Sequence, residues 1–236
     1  VARGLAVSRT RAQALIDAGS VTVNGIPASK SSVSVQPGDS VALSEPDHPW
    51  VSRGGLKLAG AIEAFNISFK AKTVLDIGAS TGGFTDVAIH HGAIKVFAVD
   101  VGHDQLAQKL REDARVCSLE GVNARELTSE VVCDPIDILV CDASFISLKK
   151  VLPAGLDLVR PSGEAVVLIK PQFEVGKGRL GKGGVVKSNE LREEVCHEIH
   201  SWFNSLEDWV VGNITTSPIK GPSGNVEYLL HAKRGR

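Results

Sequence analysis

The stretch Val74-Leu75-Asp76-Ile77-Gly78-Ala79-Ser80-Thr81-Gly82-Gly83-Phe84 constrains the fold of this chain most. An apolar run with one acid ends a predicted strand. A loop of small residues follows, and then a predicted helix. That order is the first strand–loop–helix of a doubly wound α/β domain, where such folds bind nucleotides. Glycines let backbone approach a ligand closely and adopt conformations that a Cβ forbids. The spacing is Gly-x-x-x-Gly-Gly, not the Gly-x-Gly-x-x-Gly of a dinucleotide site. Asp76 before the loop would repel a pyrophosphate. It suits a ligand with positive charge, such as the amino group of S-adenosylmethionine (SAM). Taken alone, the loop leaves SAM, another nucleotide and a plain tight turn open.

From residue 73 onward, strand and helix patterns alternate, and chemistry-bearing residues follow the strands. The first predicted strand is Thr73–Ile77. The second spans 96–100 and ends in Asp100, about 20 residues past the loop, where such folds bind ribose hydroxyls. A helix N-cap is the other reading of Asp100. The third spans 115–119 and precedes Gly121-Val122-Asn123. The fourth, Ile136–Cys141, ends in Asp142-Ala143-Ser144-Phe145-Ile146-Ser147. The fifth, 165–169, ends in Lys170-Pro171-Gln172-Phe173. Ligands gather outside the carboxyl ends of such strands. Asp142 and Lys170 thus face the crevice of Asp76 and Asp100 if the fourth and fifth strands are neighbours.

Three further segments border this pattern. Arg53-Gly54-Gly55-Leu56-Lys57 opens a helix carrying Leu58, Ala59, Ile62 and Phe65. Lys57 falls in its first turn, where a cation opposes the helix dipole. Residues 175–184 are glycine-rich and basic, with Gly176 and Gly181-Lys182-Gly183 nearly matching a phosphate-binding loop. The Ser/Thr that would hold Mg²⁺ is missing, which excludes an NTPase and leaves a mobile flap touching substrate phosphates. A helix over 188–206 carries His197 and His200 without a His-Glu-x-x-His motif, so no metal is expected. Residues 219–230 read as a loop running into a last strand, with Glu227 near its start.

Residues 1–45 read as a small separate α+β module. Ser8 is a plausible N-cap for a helix with Ala12, Leu15 and Ile16 at helical spacing, stopped by Gly19. Val21-Thr22-Val23 alternates like a strand, and Asn24-Gly25 is a strong hairpin signal. Val33-Ser34-Val35, a Pro37-Gly38-Asp39 turn and Val41-Ala42-Leu43 complete the expected β segment. Residues 46–52 form the expected linker, with prolines and no periodicity.

At 236 residues, 43% hydrophobic and 22% charged, the chain holds one large domain and one small one. No apolar run approaches the roughly 18 residues of a membrane span, and no signal peptide is evident. Four scattered cysteines read as reduced core residues of a cytoplasmic protein. The absence of Met implies that the natural start is missing. Net charge is −1, but it is unevenly spread. Arg3, Arg9, Arg11 and Lys30 face only Asp17 in residues 1–30. Lys170, Lys177, Arg179, Lys182 and Lys187 face only Glu174 in residues 170–187. Two basic patches in a near-neutral chain suggest a polyanion held at defined places.

Residues 8–25, with Ser8-Arg9, Ala12, Leu15-Ile16, Gly19 and Val23-Asn24-Gly25, resemble the ribosomal protein S4-type RNA-binding fold, its first helix shortened here. Lys57, Asp142, Lys170 and Glu227 around a SAM pocket resemble the FtsJ-like ribose 2′-O-methyltransferases. Three phrases look more specifically like the TlyA family, often labelled hemolysin: Asp142-x-Ser144-Phe145-Ile146-Ser147, Lys170-Pro171-Gln172-Phe173-Glu174-Val175-Gly176-Lys177, and Gly221-Pro222-Ser223-Gly224-Asn225-Val226-Glu227-Tyr228. The resemblance implies a Rossmann-like methyltransferase domain over 53–236. It also implies methylation of a cytidine ribose in ribosomal RNA, on naked RNA or on ribosomal subunits. Lys170 would accept the proton or organise the 2′-oxygen; burial and Lys57 favour its neutral form, Asp142 and Glu227 its charged form. Asp142 would orient Lys170, and Glu227 would hold Lys57. The methionine part of SAM would lie on Asp76 and the loop of Gly78, Ala79, Ser80, Gly82, Gly83 and Phe84, close to Asp142. Asp100 would bind its ribose and Asn123 its adenine edge. RNA would meet Arg3, Arg9, Arg11, Lys30, Arg53, Lys177, Arg179 and Lys182. Membrane lysis and a non-catalytic RNA-binding assembly factor are the rival readings.

Overall fold

The computed structural model describes residues 1–6, 8–17, 19–28, 30–43, 48–221 and 224–235. The chain divides into two compact units, Val1–Pro49 and Trp50–Arg236.

The first unit has helix α1 (Arg9–Asp17) and strands β1 (Val21–Val23), β2 (Ile26–Pro27) and β3 (Val41–Leu43), in the antiparallel order β2-β1-β3. Asn24 and Gly25 both take positive φ, 52° and 79°, as a two-residue hairpin requires to match strand twist. The Asn24 side chain donates to Asp39 Oδ1 (2.8 Å) and accepts from Ser40 N (2.8 Å), pinning the hairpin to the Pro37-Gly38-Asp39 turn. The strand expected over 33–35 does not form. Val33 and Val35 are exposed, so their alternation has no buried face to satisfy.

The second unit opens with α2 (Gly54–Phe65), closed by Asn66 in the left-handed conformation (φ 52°). It continues through β4 (Thr73–Ile77), α3 (Gly83–His90), β5 (Lys95–Asp100), α4 (Gln108–Arg111), β6 (Val116–Glu120), β7 (Ile136–Cys141), α5 (Leu148–Val151) and α6 (Pro153–Asp157). It ends with β8 (Val159–Ile169), α7 (Pro171–Glu174), α8 (Asn189–Ser205), β9 (Trp209–Thr216) and β10 (Tyr228–Arg234). The sheet order is β6-β5-β4-β7-β8-β10-β9. β4 to β8 run parallel, while β10 is antiparallel to both β8 and β9.

Strands covered on both faces read as near-continuous apolar runs, and side chains alternate between the faces. Leu75, Ile77, Phe97 and Leu139 pack with α5, α6 and α8 residues such as Leu148, Leu156 and Phe203. Val74, Val96, Ile138 and Val140 pack with Leu58 and Ala61 of α2 and Val87 of α3. Two strands differ from the sequence expectation. β8 begins at Val159 rather than 165, because Pro161, Ser162 (φ 63°) and Gly163 form an irregular start, opposite a register shift in β7. β9, which the sequence pattern does not announce, is an edge strand paired to β10.

Chain order reverses across the sheet between β4 and β7, which is the switch point of a doubly wound fold. Gly78 and Asp142 leave the sheet there, side by side.

Candidate active site

The loop after β4 is built from backbone. Gly78 takes φ +82°, and the amides of Gly78 and Ala79 donate to Val99 O (2.9 and 3.1 Å). A Cβ on Gly78 would lie 2.8 Å from Ala143 Cα, so only glycine lets the loop after β7 pass alongside. Gly82 takes φ +94°, with Leu106 and Leu110 filling the place of its missing side chain. Asp100 staples this loop, accepting from Ser80 N and Gly102 N at 2.8 Å each.

Asp76 lies beneath the loop rather than in an open cavity. It is fully buried and accepts from Thr85 Oγ1 of α3 at 2.6 Å; its Oδ1 has no hydrogen-bond partner among the described residues. Burial raises its pKa to about 7, with Asp142 adding to the rise and the Thr85 hydrogen bond opposing it.

The loop after β7 is built from side chains. Lys170, just past β8, reaches Asp142 Oδ1 (2.7 Å), Asp142 O (3.0 Å) and Ser144 Oγ (2.7 Å). Lys57 reaches Glu227 Oε2 (2.8 Å) and Asp142 Oδ1 (3.4 Å). Gln172 donates to Glu227 Oε1 (3.1 Å). Lys57, Lys170 and Glu227 are buried, and Asp142 keeps 19% of its side chain exposed. Buried charges persist when they are paired and hydrogen-bonded; here two cations share two carboxylates. The topology explains the assembly. β10 pairs antiparallel to β8 with Tyr228 opposite Ile169, so the residues just before β10 and just after β8 are neighbours. Glu227 thereby meets the Lys170 region although 57 positions separate them in sequence. Lys57 sits in the first turn of α2, and the carboxylates, not the helix dipole, balance its charge.

Three cavities meet at the Asp142–Ser144 segment. One of about 820 Å³ is lined by Gly78, Ser80, Val99, Asp100, Asn123 and Asp142, among others. One of about 300 Å³ is lined by Arg53, Lys57, Ala79, Gly83, Phe84 and Lys170. One of about 760 Å³ is lined by Lys170, Gln172, Phe173, Gly183, Asn225 and Glu227, among others. Ser144 borders all three. Phe145, at φ +65° and 89% exposed, stands between the two larger cavities with its ring 5.0 Å from that of Phe173. No role for Ser144 or Gln172 follows from the sequence alone. Their signals are a position shortly after a strand end and a place inside the phrases quoted above.

The glycine-rich segment folds as two short 3₁₀ turns, Lys177–Arg179 and Lys182–Gly184. Two sets of contacts tie it to its neighbours. Asn225, itself buried, accepts from Val186 N (2.9 Å) and donates to Gly184 O (3.1 Å). Arg179 makes a two-pronged ion pair with Glu194 of α8, so its charge is already matched. Arg53 donates to Lys220 O, and Arg3 donates to Asp39 O and Gln36 O within the first unit. Arg9 and Lys30 are exposed. The side chains of Arg11, Lys177 and Lys182, and residues 222 and 223, lie outside the described ones. Among the described residues, no helix is long and apolar enough to cross a membrane. No group of three or more His, Cys, Asp or Glu among them is placed to hold a metal ion.

Comparison with known proteins matches residues 50–234 to the FtsJ-like methyltransferases and residues 1–41 to the S4 domain. The chain is 48% identical to the 16S/23S rRNA (cytidine-2′-O)-methyltransferase TlyA of Mycobacterium tuberculosis, over 98% of this chain and 86% of that protein. It is 43% identical to Hemolysin A of Brachyspira hyodysenteriae, over 97% and 95%. A solved hemolysin-named protein from Streptococcus thermophilus superposes with a TM-score of 0.80 at 37% identity, over 99% and 86%. With such similarity over nearly its whole length, the chain belongs to the TlyA family of FtsJ-like methyltransferases.

Proposed function

We propose that this protein transfers the methyl group of SAM to the ribose 2′-hydroxyl of a cytidine in ribosomal RNA. The observation that carries the reading is the Lys57–Asp142–Lys170–Glu227 cluster, wedged between a cavity beside the glycine loop and a second cavity beyond Ser144. The relatives named as rRNA cytidine-2′-O-methyltransferases support the choice of RNA and nucleotide.

The residues fit SAM. The 820 Å³ cavity is of ligand size. It offers apolar Val99 and Val122 to a purine, Asn123 to its edge and Asp100 to a ribose. The adjoining 300 Å³ cavity offers loop backbone and the Asp142 carboxylate to an amino-acid end. Asp76, buried beneath the loop, would act on that end through the loop it supports. When bound, SAM supplies a methyl group already activated by its sulfonium.

The chain must then align the acceptor oxygen and manage its proton. A ribose hydroxyl is a weak nucleophile at neutral pH, so alignment and proton removal are the two contributions a protein can make. Lys170 faces the 760 Å³ cavity, which we assign to the acceptor nucleotide. Asp142 fixes the Lys170 amino group, and the Lys57–Glu227 pair fixes Asp142. Residues 1–45 would hold structured RNA through Arg3, Arg9, Arg11 and Lys30, with 46–52 as linker and 53–236 as the catalytic part. Arg53, Lys177 and Lys182 would meet RNA phosphates near the site. Arg179 would do so only by leaving Glu194. Intact ribosomal subunits in the cytoplasm would be the natural substrate.

The test is methyl transfer from radiolabelled SAM to each ribosomal subunit and to naked rRNA, with wild type and Lys170→Ala side by side. Expected is incorporation by wild type and a loss of about 10²-fold or more in the variant, with SAM affinity kept by calorimetry. No incorporation by a SAM-binding wild type would overturn the reading. Membrane lysis, suggested by two relatives' names, is checked with the same preparation by liposome dye release; none is expected.

A further inference from the structure

We infer that Ser144 is a catalytic residue: its hydroxyl contacts the acceptor hydroxyl and carries the proton from it to Lys170. The inference rests on the methyl-transfer reading above and deepens it.

A lysine ammonium has three N–H donors. Three acceptors surround that of Lys170: Asp142 Oδ1 at 2.7 Å, Asp142 O at 3.0 Å and Ser144 Oγ at 2.7 Å. They equal its three N–H donors in number. The lysine is 6% exposed. While these three contacts hold, no N–H is left over for a substrate hydroxyl, although Lys170 borders the acceptor cavity. A neutral Lys170 must point its lone pair at one of the same three partners. Two of them, a carboxylate and a carbonyl oxygen, can only accept. Ser144 alone can donate. A proton reaching Lys170 without dismantling the site therefore arrives from Ser144.

Ser144 is placed to receive one. A hydroxyl has one donor and two lone pairs. Lys170 engages it on one side, and on the other Ser144 borders all three cavities. It is the point where the cavity assigned to the methyl donor, the cavity assigned to the acceptor and the charged cluster meet.

The step balances. Neutral Lys170 donates to the two Asp142 oxygens and accepts from Ser144 O–H. The acceptor oxygen forms its bond to the methyl carbon as the methyl–sulfur bond breaks, with that electron pair left on sulfur. The acceptor's proton passes to Ser144 Oγ while Ser144's own proton passes to Lys170 Nζ. Ser144 ends unchanged, Lys170 ends as ammonium, and the proton leaves to water before the next turnover.

The test compares wild type, Ser144→Ala and Ser144→Thr in single-turnover methyl transfer, with SAM and RNA affinities measured separately by titration. Expected is a fall of about 100-fold or more for Ser144→Ala, recovery to within about tenfold for Ser144→Thr, and both affinities within about twofold of wild type. In mixtures of H₂O and D₂O the wild-type rate should fall along a curved line, as two moving protons require, and the Ser144→Ala rate along a straight one. Ser144→Ala retaining more than about a tenth of the wild-type rate overturns the relay. So does equal loss in both variants. Either result, with wild type active, leaves the methyl-transfer reading standing; an inactive wild type that binds SAM removes both.

Discussion

The loop after β4 and the loop after β7 leave the sheet side by side, yet they are built on opposite principles. The first is backbone: Gly78, Ser80 and Gly82 at positive φ, amides tied to Val99 and Asp100, and no charged side chain on its surface. The second is side chain: Asp142 and Ser144 aimed at Lys170, with Lys57 and Glu227 closing the circuit. The difference separates two tasks. A backbone cradle recognises a ligand without committing a charge to it. A network of buried charges can hold or move a proton, but only if every member is present.

That contrast breaks most readily in the second loop. Lys57→Ala leaves Glu227, 1% exposed, with an uncompensated charge. The expected cost is about 3–5 kcal/mol, read as a drop in the urea midpoint. The double variant Lys57→Met with Glu227→Gln should recover much of that stability but not methyl transfer. A stable, active Lys57→Ala would show that the network is not cooperative.

In the first loop the sensitive point is Gly78. Gly78→Ala meets Ala143 backbone at 2.8 Å and must hold a positive φ. The strain is about 1–3 kcal/mol. It should appear as weaker SAM binding by calorimetry, with the rate at saturating SAM nearly kept. A selective loss of rate would put chemistry into the backbone loop and erase the distinction.

Asp76 is a fully buried carboxylate beneath the backbone loop. Its pKa, about 7 in the folded state, lies above the unfolded value near 4. The folded state thus binds the extra proton between those limits, and stability falls as pH rises through the window. Wild type should lose roughly 1 kcal/mol per pH unit between pH 5 and 7 relative to Asp76→Asn, measured by urea melts of both. A parallel pair of pH profiles would mean that Asp76 is charged and compensated.

The two loops also differ in how legible they are. The first is local. Its glycine spacing, its position after β4 and its acid are all visible in one short stretch, because the conformations required are local ones. The second is tertiary. Asp142 and Lys170 could be placed at strand ends, but Glu227 joins them only through the antiparallel pairing of β10 to β8, which no local pattern reports. The resemblance to known methyltransferase phrases, rather than spacing, brought the four charges together. Ser144 stood inside one of those phrases without a role, since its partner lies 26 positions away. In the first unit, Val33 and Val35 had strand composition but no neighbour to pair with. Arg179 looked like a free cation because Glu194 approaches it only across the fold.

The most direct measurement is the identity of the methylated atom. Ribosomal RNA treated with this protein and SAM is digested to nucleosides and analysed by mass spectrometry. The expected new product is 2′-O-methylcytidine, absent with Lys170→Ala. A methyl group on a base, or no new methylated nucleoside from either ribosomal subunit, would contradict the proposed function.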